Sequence, residues 1–436
     1  MSAPPMVTFR REAPVVAEYD VVVCGGGPAG YIAAVASARA GARTALIEQN
    51  GFFGGLATAG LVAPVSEFNK NGRRVINGIP WEAMERLARI GGADLSYPIG
   101  NVPFDSELYK LVIQQMVTES GVTPYLCCTV TGCIQENHRI KHILCCGKTG
   151  EFALTAAEWI DCTGDAILCS AAGVPFQEMP QPEECQPATL CFRLGGVDTD
   201  HLEQIFLKLP NTKYANSRVR GILESLRGKE DVPVFGGPWF CWAMRDGIVH
   251  VNMTRSPVNL QDAAGASRME CSLREDVHQF IRLLQEYVPE FAHCYLLETA
   301  VSAGYREGKR ICGSHILTGE EILSGYRFED SIACAAHPVD IHRPADTSQD
   351  VTFLSQEGFI PYRSLYAEDF PNLLAAGRCL SADRQAFASV RVQAASMATG
   401  QAAGCAAALC AAQKLDVQKL SIHSLQELLK SQGAVF

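Results

Sequence analysis

The sequence predicts an α/β fold: a Rossmann-like nucleotide-binding domain with a parallel sheet and a β-meander, split around an inserted α+β domain. Three features carry this prediction. Tyr19 to Asn50, "YDVVVCGGGPAGYIAAVASARAGARTALIEQN", reads as strand, glycine turn, helix and strand. Val122 to Trp159 reads as short strands joined by turn residues. After a long stretch of different texture, "FPNLLAAGRCLSADRQAFASVRVQAASMATGQAAG" returns to the opening style.

Taken in order, "YDVVVCG" is a short valine-rich run ended by glycine, the pattern of a strand buried on both faces. "PAGYIAAVASARAG" predicts a helix, with proline in its first turn and glycine at its end. "ARTALIEQN" is a second buried strand. "FDSELYKLVIQQMVTESG" opens on Asp and Ser, spaces its apolar residues by three and four, and closes on glycine, so it predicts a helix. In the meander, "QENHR" and "GKTGE" predict hairpin turns, and "AEWIDCTGDA" predicts a strand ending in a Thr-Gly-Asp turn. Prolines crowd "PFQEMPQPEECQP", after which helical "SLREDVHQFIRLLQEYV" alternates with strand-like "GIVHVNMTR". The expected division is residues 1–172, an insertion facing the substrate over 173–359, and a return to the first domain over 360–436.

Bulk properties exclude several classes. A net charge of −10 argues against nucleic acid or anionic lipid as a partner. The longest apolar run, Ala402 to Ala412, is too short to span a membrane. The first twenty residues lack the apolar core of a secretory signal, which predicts a cytoplasmic protein. Eighteen cysteines, with no C-x-x-C, read as buried free thiols rather than disulfides or metal ligands, and no metal site is expected.

Gly25, Gly27 and Gly30 form G-x-G-x-x-G at the strand-to-helix junction, with Pro28 and Ala29 opening the helix. The first glycine permits the tight turn, the second lets a pyrophosphate approach the backbone, and the third lets helix pack on strand. The helix N-terminus presents unpaired N–H groups to phosphate. Glu48 ends the second strand, where a ribose needs an acceptor for its hydroxyls. An acid there also disfavours a 2′-phosphate.

A second glycine loop, "GFFGGLATAG", follows Glu48 directly, and an "AAGR…GQAAG" segment closes the chain. With "VINGIPWEAMERL", "WIDCTGDA", "REGKRICGSHILT", "VDIH" and "IPYRSL", these pieces resemble, in order and over nearly the whole chain, the FAD-dependent oxidoreductases of the glutathione-reductase-type fold. The resemblance implies FAD as cofactor. It implies that Gly54, Gly55, Ala57 and Thr58 line the ribityl chain or flavin ring, and that Asp165 sits near the phosphates or ribose. Gly377 and Arg378 are implied at the ribityl-pyrophosphate end. A helix beginning near Ser389, with Val390 and Arg391, is implied to aim its N-terminus at the flavin pyrimidine, where reduced flavin carries negative charge.

Reacting groups are expected from the insertion and its junctions. "HPVDIHRP" supplies His337 and His342, the latter a candidate to accept a hydroxyl proton as hydride leaves for flavin N5. Arg306, Tyr362 and Arg363 are candidates for holding a polar substrate. Where the family often carries a histidine, this chain has Asp383, Arg384 and Gln385, which leaves His250 and His315 as weaker alternatives and Arg384 and Arg391 as candidate ligands for an anionic substrate or a flavin carbonyl. The expected activity is oxidation of a small hydroxylated or carboxylated substrate. The alternatives are reduction of an activated C=C bond and a non-catalytic electron-transfer subunit. The electron acceptor, O2, a quinone or a protein, is left open, as is a homo-oligomer. A disulfide reductase is disfavoured, because Cys128 and Cys133 have the C-x4-C spacing in the meander rather than early in the first domain.

Overall fold

The computed structural model describes residues 10–97, 99–181, 184–201, 215–258, 262–344 and 348–436. Most of the proline-containing leader, and Pro182 and Glu183 of the proline-rich run, lie outside the described residues. The chain opens with strand β1 (Val15–Cys24), helix α1 (Pro28–Arg39) and strand β2 (Thr44–Glu48). Val21 to Cys24 are fully buried, as expected for a strand covered on both faces. Helix α2 (Ser106–Glu119) starts as its sequence predicts: Asp105 caps it by accepting from the backbone N–H groups of Glu107 (2.9 Å) and Leu108 (3.2 Å). It leads to β3 (Thr123–Leu126) and a meander of β4 (Thr129–Glu136), β5 (Arg139–Gly147) and β6 (Gly150–Asp161). Asn137 and His138 turn the first hairpin with positive φ, the geometry a tight two-residue turn requires.

A second, antiparallel sheet of β7 (Phe192–Gly195), β8 (Phe235–Trp242), β9 (Val249–Thr254) and β10 (Tyr295–Thr299) has the order β8-β9-β7-β10. Helix α3 (Ala263–Tyr287) buries Leu273, Val277, Phe280 and Leu284, spaced three and four apart, in one core with Phe235, Phe240 and Val251. A hairpin of β11 (Val339–His342) and β12 (Gln349–Thr352) follows.

The chain then returns to the first sheet. Strand β13 (Leu373–Ala375) pairs in parallel with the second half of β6, whose first half pairs with the meander. The sheet order is β3-β2-β1-β6-β5-β4 with β13 beside β6. Helix α4 (Gln393–Gln413) lies along α1. Both are buried nearly all round, and glycine makes that closeness possible: a Cβ on Gly400 would stand 2.1 Å from the Ala29 carbonyl oxygen, and one on Gly404 2.2 Å from that of Ala33. Leu317 to Ile360 contribute to the same apolar core as these helices.

One boundary is corrected. Ser389 and Val390 end a short helix, Arg384–Val390, and the long helix starts only at Gln393, after Val392 turns extended (ψ 160°). Two β-branched valines flanking Arg391 weaken helix continuity at that point. Among the described residues, no helix is long and apolar enough to cross a membrane. All eighteen cysteines are free and most are buried, where loss of water contact raises their thiol pKa and keeps them unreactive.

Candidate functional site

The parallel registers align the carboxyl ends of β1, β2, β6 and β13: Cys24 lies beside Ile47 and Asp161, and Asp161 beside Ala375. That edge opens onto one cleft, the place where ligands bind in open α/β sheets. Gly25, Gly27, Pro28 and Ala29 line it from the first turn, Glu48 from the end of β2, and Gly55 from the second glycine loop. Asp165, Gly377, Arg378 and Arg391 complete it, so segments from both ends of the chain meet there.

The first turn is built as the motif demands. Gly25 has φ +93°, and a Cβ there would stand 2.6 Å from the Cys162 carbonyl oxygen. Gly30 is tighter, its added Cβ lying 1.7 Å from the Gly25 carbonyl oxygen. Gly27 differs: a Cβ would meet only Gly55 Cα, at 3.9 Å, so this backbone faces open space in the cleft. The buried Glu48 carboxylate accepts from the N–H of Gly26 (2.8 Å) and from the backbone and side chain of Asn50 (2.8 and 2.7 Å). Burial raises its pKa and those hydrogen bonds oppose the rise. Arg378 donates to Asp165 Oδ1 (3.2 Å) and to the Tyr305 carbonyl, and all three residues line the cleft.

A family profile described as FAD dependent oxidoreductase matches residues 20–429. The chain belongs to the FAD-dependent oxidoreductase family. Dihydrolipoyl dehydrogenase of Trypanosoma brucei brucei is 53% identical over 47 residues, which is 11% of this chain and 10% of that enzyme. Among solved structures, a geranylgeranyl bacteriochlorophyll reductase-like protein from Thermoplasma acidophilum is 14% identical, with 95% of this chain and 83% of that one covered and a TM-score of 0.48. A myxobacterial FAD-dependent chondrochloren halogenase is 12% identical, with 95% and 79% covered and a TM-score of 0.44.

The cofactor of this FAD-dependent oxidoreductase is FAD, and the cleft residues fit it. The open face at Gly27, the α1 N-terminus and the Glu48 carboxylate match pyrophosphate and ribose in turn. Gly54 (φ +113°) ties the second glycine loop to the first by donating to the Gly26 carbonyl (2.9 Å). Of that loop, Gly55, Leu56, Ala59 and Gly60 reach the cleft. Ala57 and Thr58 are buried behind it, with the Thr58 hydroxyl donating to the Phe53 carbonyl (2.7 Å). Val390 is likewise packed into the core, while Arg391 and Gln393 line the cleft.

The expected reacting groups divide. His342 is 7% exposed, and its Nε2 lies 3.0 Å from Asp340 Oδ2. Burial and nearby Arg306 hold its pKa down, at about 3, so the imidazole is neutral and Nε2–H donates to an ionised Asp340. Nδ1 is then the acceptor. Gln186 Oε1 receives the His342 N–H (3.1 Å) and an Arg391 Nη2–H (3.4 Å), and Arg391 Nη2 also donates to the Asp340 carbonyl (3.1 Å). His342 is thereby tied to a residue that lines the cleft. Arg306 is buried close enough for its charge to act on His342, and it donates to Thr189 Oγ1 (2.8 Å) and the Pro187 carbonyl (2.6 Å). His337 turns Nδ1 to the Pro338 carbonyl (2.8 Å), and its own carbonyl accepts from Ser389 (2.6 Å).

Tyr362 and Arg363 are placed elsewhere. The Tyr362 ring is buried with its hydroxyl donating to the Val417 carbonyl (2.9 Å), and Arg363 clamps Asp330 (3.0 and 3.2 Å); both line a separate surface cavity. Their sequence neighbour β13 reaches the cleft, whereas the 3-10 turn Tyr362–Ser364 faces the other way. His250 sits in the second sheet against Phe104, and His315 pairs with Glu321 in a helix-capping box, so both brace local structure. Asp383 caps the helix that follows it, and Arg384 pairs with Glu307 (3.0 Å). Sequence reading missed Asp161, Gln186, Thr189 and Arg255. Asp161 orders the turn after β6 by accepting from Thr163 and Cys169, and its place at a strand end was the available signal.

Proposed function

We propose that this protein oxidises a small polar substrate, hydroxylated or carboxylated, with His342 as the proton acceptor. FAD, when bound, supplies the acceptor for the electron pair. The observation that carries the reading is the Asp340–His342 pair joined through Arg391 to the cleft. Asp340 fixes the tautomer by receiving Nε2–H, which leaves Nδ1 free to take a hydroxyl proton. Arg391, reaching from the cleft to the Asp340 carbonyl, holds the strand that carries both residues.

We also read the FAD domain as the two-part, glutathione-reductase type, formed by residues 1–172 and 360–436 around 173–359. What supports this is the pairing of β13 with β6 and of α4 with α1. The free thiols suit a reducing compartment, and we place the protein in the cytoplasm on that ground.

Anaerobic mixing of the purified yellow protein with alcohols and hydroxy acids tests the activity, the expected result being loss of flavin colour. In His342→Ala, FAD stays bound and flavin reduction slows by roughly 10²–10⁴-fold, the range for a lost general base. Reduction at the wild-type rate would remove His342 from the mechanism.

A further inference from the structure

We propose that Arg255, Arg306 and Arg391 form an anion seat beside the flavin cleft, and that it receives a carboxylate of the substrate. The proposal deepens the oxidation reading above and rests on it.

Arg255 and Arg306 are 4% and 9% exposed, and Arg391 stands half-buried at the cleft wall. The first two converge: Arg255 Nη1 and Arg306 Nη1 both donate to Thr189 Oγ1, at 2.6 and 2.8 Å. Two guanidinium groups on one hydroxyl repel each other in a setting that water cannot screen. Their other partners are neutral. Arg255 donates to the Thr254 carbonyl and Asn252 Oδ1, Arg306 to the Pro187 carbonyl, and Arg391 to the Asp340 carbonyl and Gln186 Oε1.

Of the acids nearby, Asp340 is turned to His342, and Glu307 is engaged by Gln186 and Arg384. Three cations thus face two carboxylates: Glu307 is held by Arg384, and Asp340 gives Oδ2 to His342 and keeps Oδ1 without a hydrogen bond among the described residues. Burial lowers the proton affinity of all three arginines; Arg306 adds to the fall at Arg255, and Arg391 adds to it at Arg306, which drops to about 10. Buried cations are normally paired, so this excess points to a missing anion.

The hydrogen-bond inventory agrees. Arg255 Nη2 and Arg391 Nε are buried with no acceptor among the described residues. Buried guanidinium donors left empty are costly and call for an oxygen. One unpartnered nitrogen on each of two arginines suits the two oxygens of a carboxylate better than the larger acceptor set of a phosphate. Arg306 and Arg255 are also among the groups that hold His342 below its ordinary pKa, so a bound carboxylate would relieve them and strengthen the base beside it.

The test uses the FAD-loaded wild-type protein with succinate, its uncharged analogue succinamide, and inorganic phosphate, read by flavin absorbance and melting temperature. Succinate is expected to perturb the flavin spectrum and raise the melting temperature, binding at least about tenfold tighter than succinamide or phosphate, a difference of about 1.4 kcal/mol. Arg391→Gln, at the cleft wall and saturated with FAD, should weaken succinate by a similar factor, read as a smaller rise in melting temperature on adding succinate. Equal binding of succinamide, preference for phosphate, no binding of succinate, or undiminished succinate binding in Arg391→Gln would each overturn the seat. A colourless protein, or one whose flavin no substrate bleaches, instead defeats the oxidation reading, and binding of succinate is scored separately from both.

Discussion

Gly27 and Gly30 lie three residues apart in one motif, yet alanine at each should fail differently. At Gly30 the new Cβ meets a backbone carbonyl at 1.7 Å, which cannot yield, so Gly30→Ala should lose more than the roughly 1–3 kcal/mol of ordinary overpacking and give little folded protein. At Gly27 the methyl points into the cleft, so Gly27→Ala should melt like wild type without FAD but retain less FAD, as read from the 450 nm colour after desalting. A second residue-scale prediction concerns acid. His250 and His342 are held neutral in the fold, with pKa values lowered to about 4 and about 3 from 6.5, first by burial. The unfolded chain therefore binds protons first as pH falls below 6.5. Each should remove up to about 1.4 kcal/mol of stability per pH unit below that point, until its folded pKa is reached. Denaturant midpoints from pH 7 to 5 should show the decline, and His342→Asn should flatten it; an unchanged slope would mean that His342 is charged in the fold. The glycines and Glu48 were legible because a turn's geometry is set within a few residues. Arg255, Gln186 and Thr189 were not, because three separate segments bring them together.

At the scale of elements, α1 and α4 touch backbone to backbone because Gly400 and Gly404 lack side chains. Gly404→Ala should lower the melting temperature by forcing α4 off the Ala33 carbonyl, and Gly404→Leu should abolish FAD retention. Strands and helices with clear periodicity, such as α2 and the meander, read directly from sequence. The break between Val390 and Gln393 did not, since "AFASVRVQAASM" carries no glycine or proline, and two valines weaken a helix too little to mark its end from sequence alone. The same applies to Tyr362 and Arg363: sequence proximity to β13 said nothing about which side of the sheet a short turn would face.

Across the whole molecule, the FAD cleft joins the first fifty residues to the last hundred, and the arginines of the proposed seat come from the stretch between and from Arg391. The return of the chain to its first sheet was readable because two glycine turns of the same style flank a stretch of another texture. How the second sheet presents Arg255 and Thr189 to the hairpin strand β11 was not, being a matter of long-range packing. The mutual docking of α1 and α4 also has a consequence in time. While the protein is being synthesised, the groove along α1 stays uncovered until some four hundred residues have left the ribosome. Cofactor capture is therefore a late event of biosynthesis, and a nascent chain arrested ahead of α4 should emerge colourless however much FAD surrounds it.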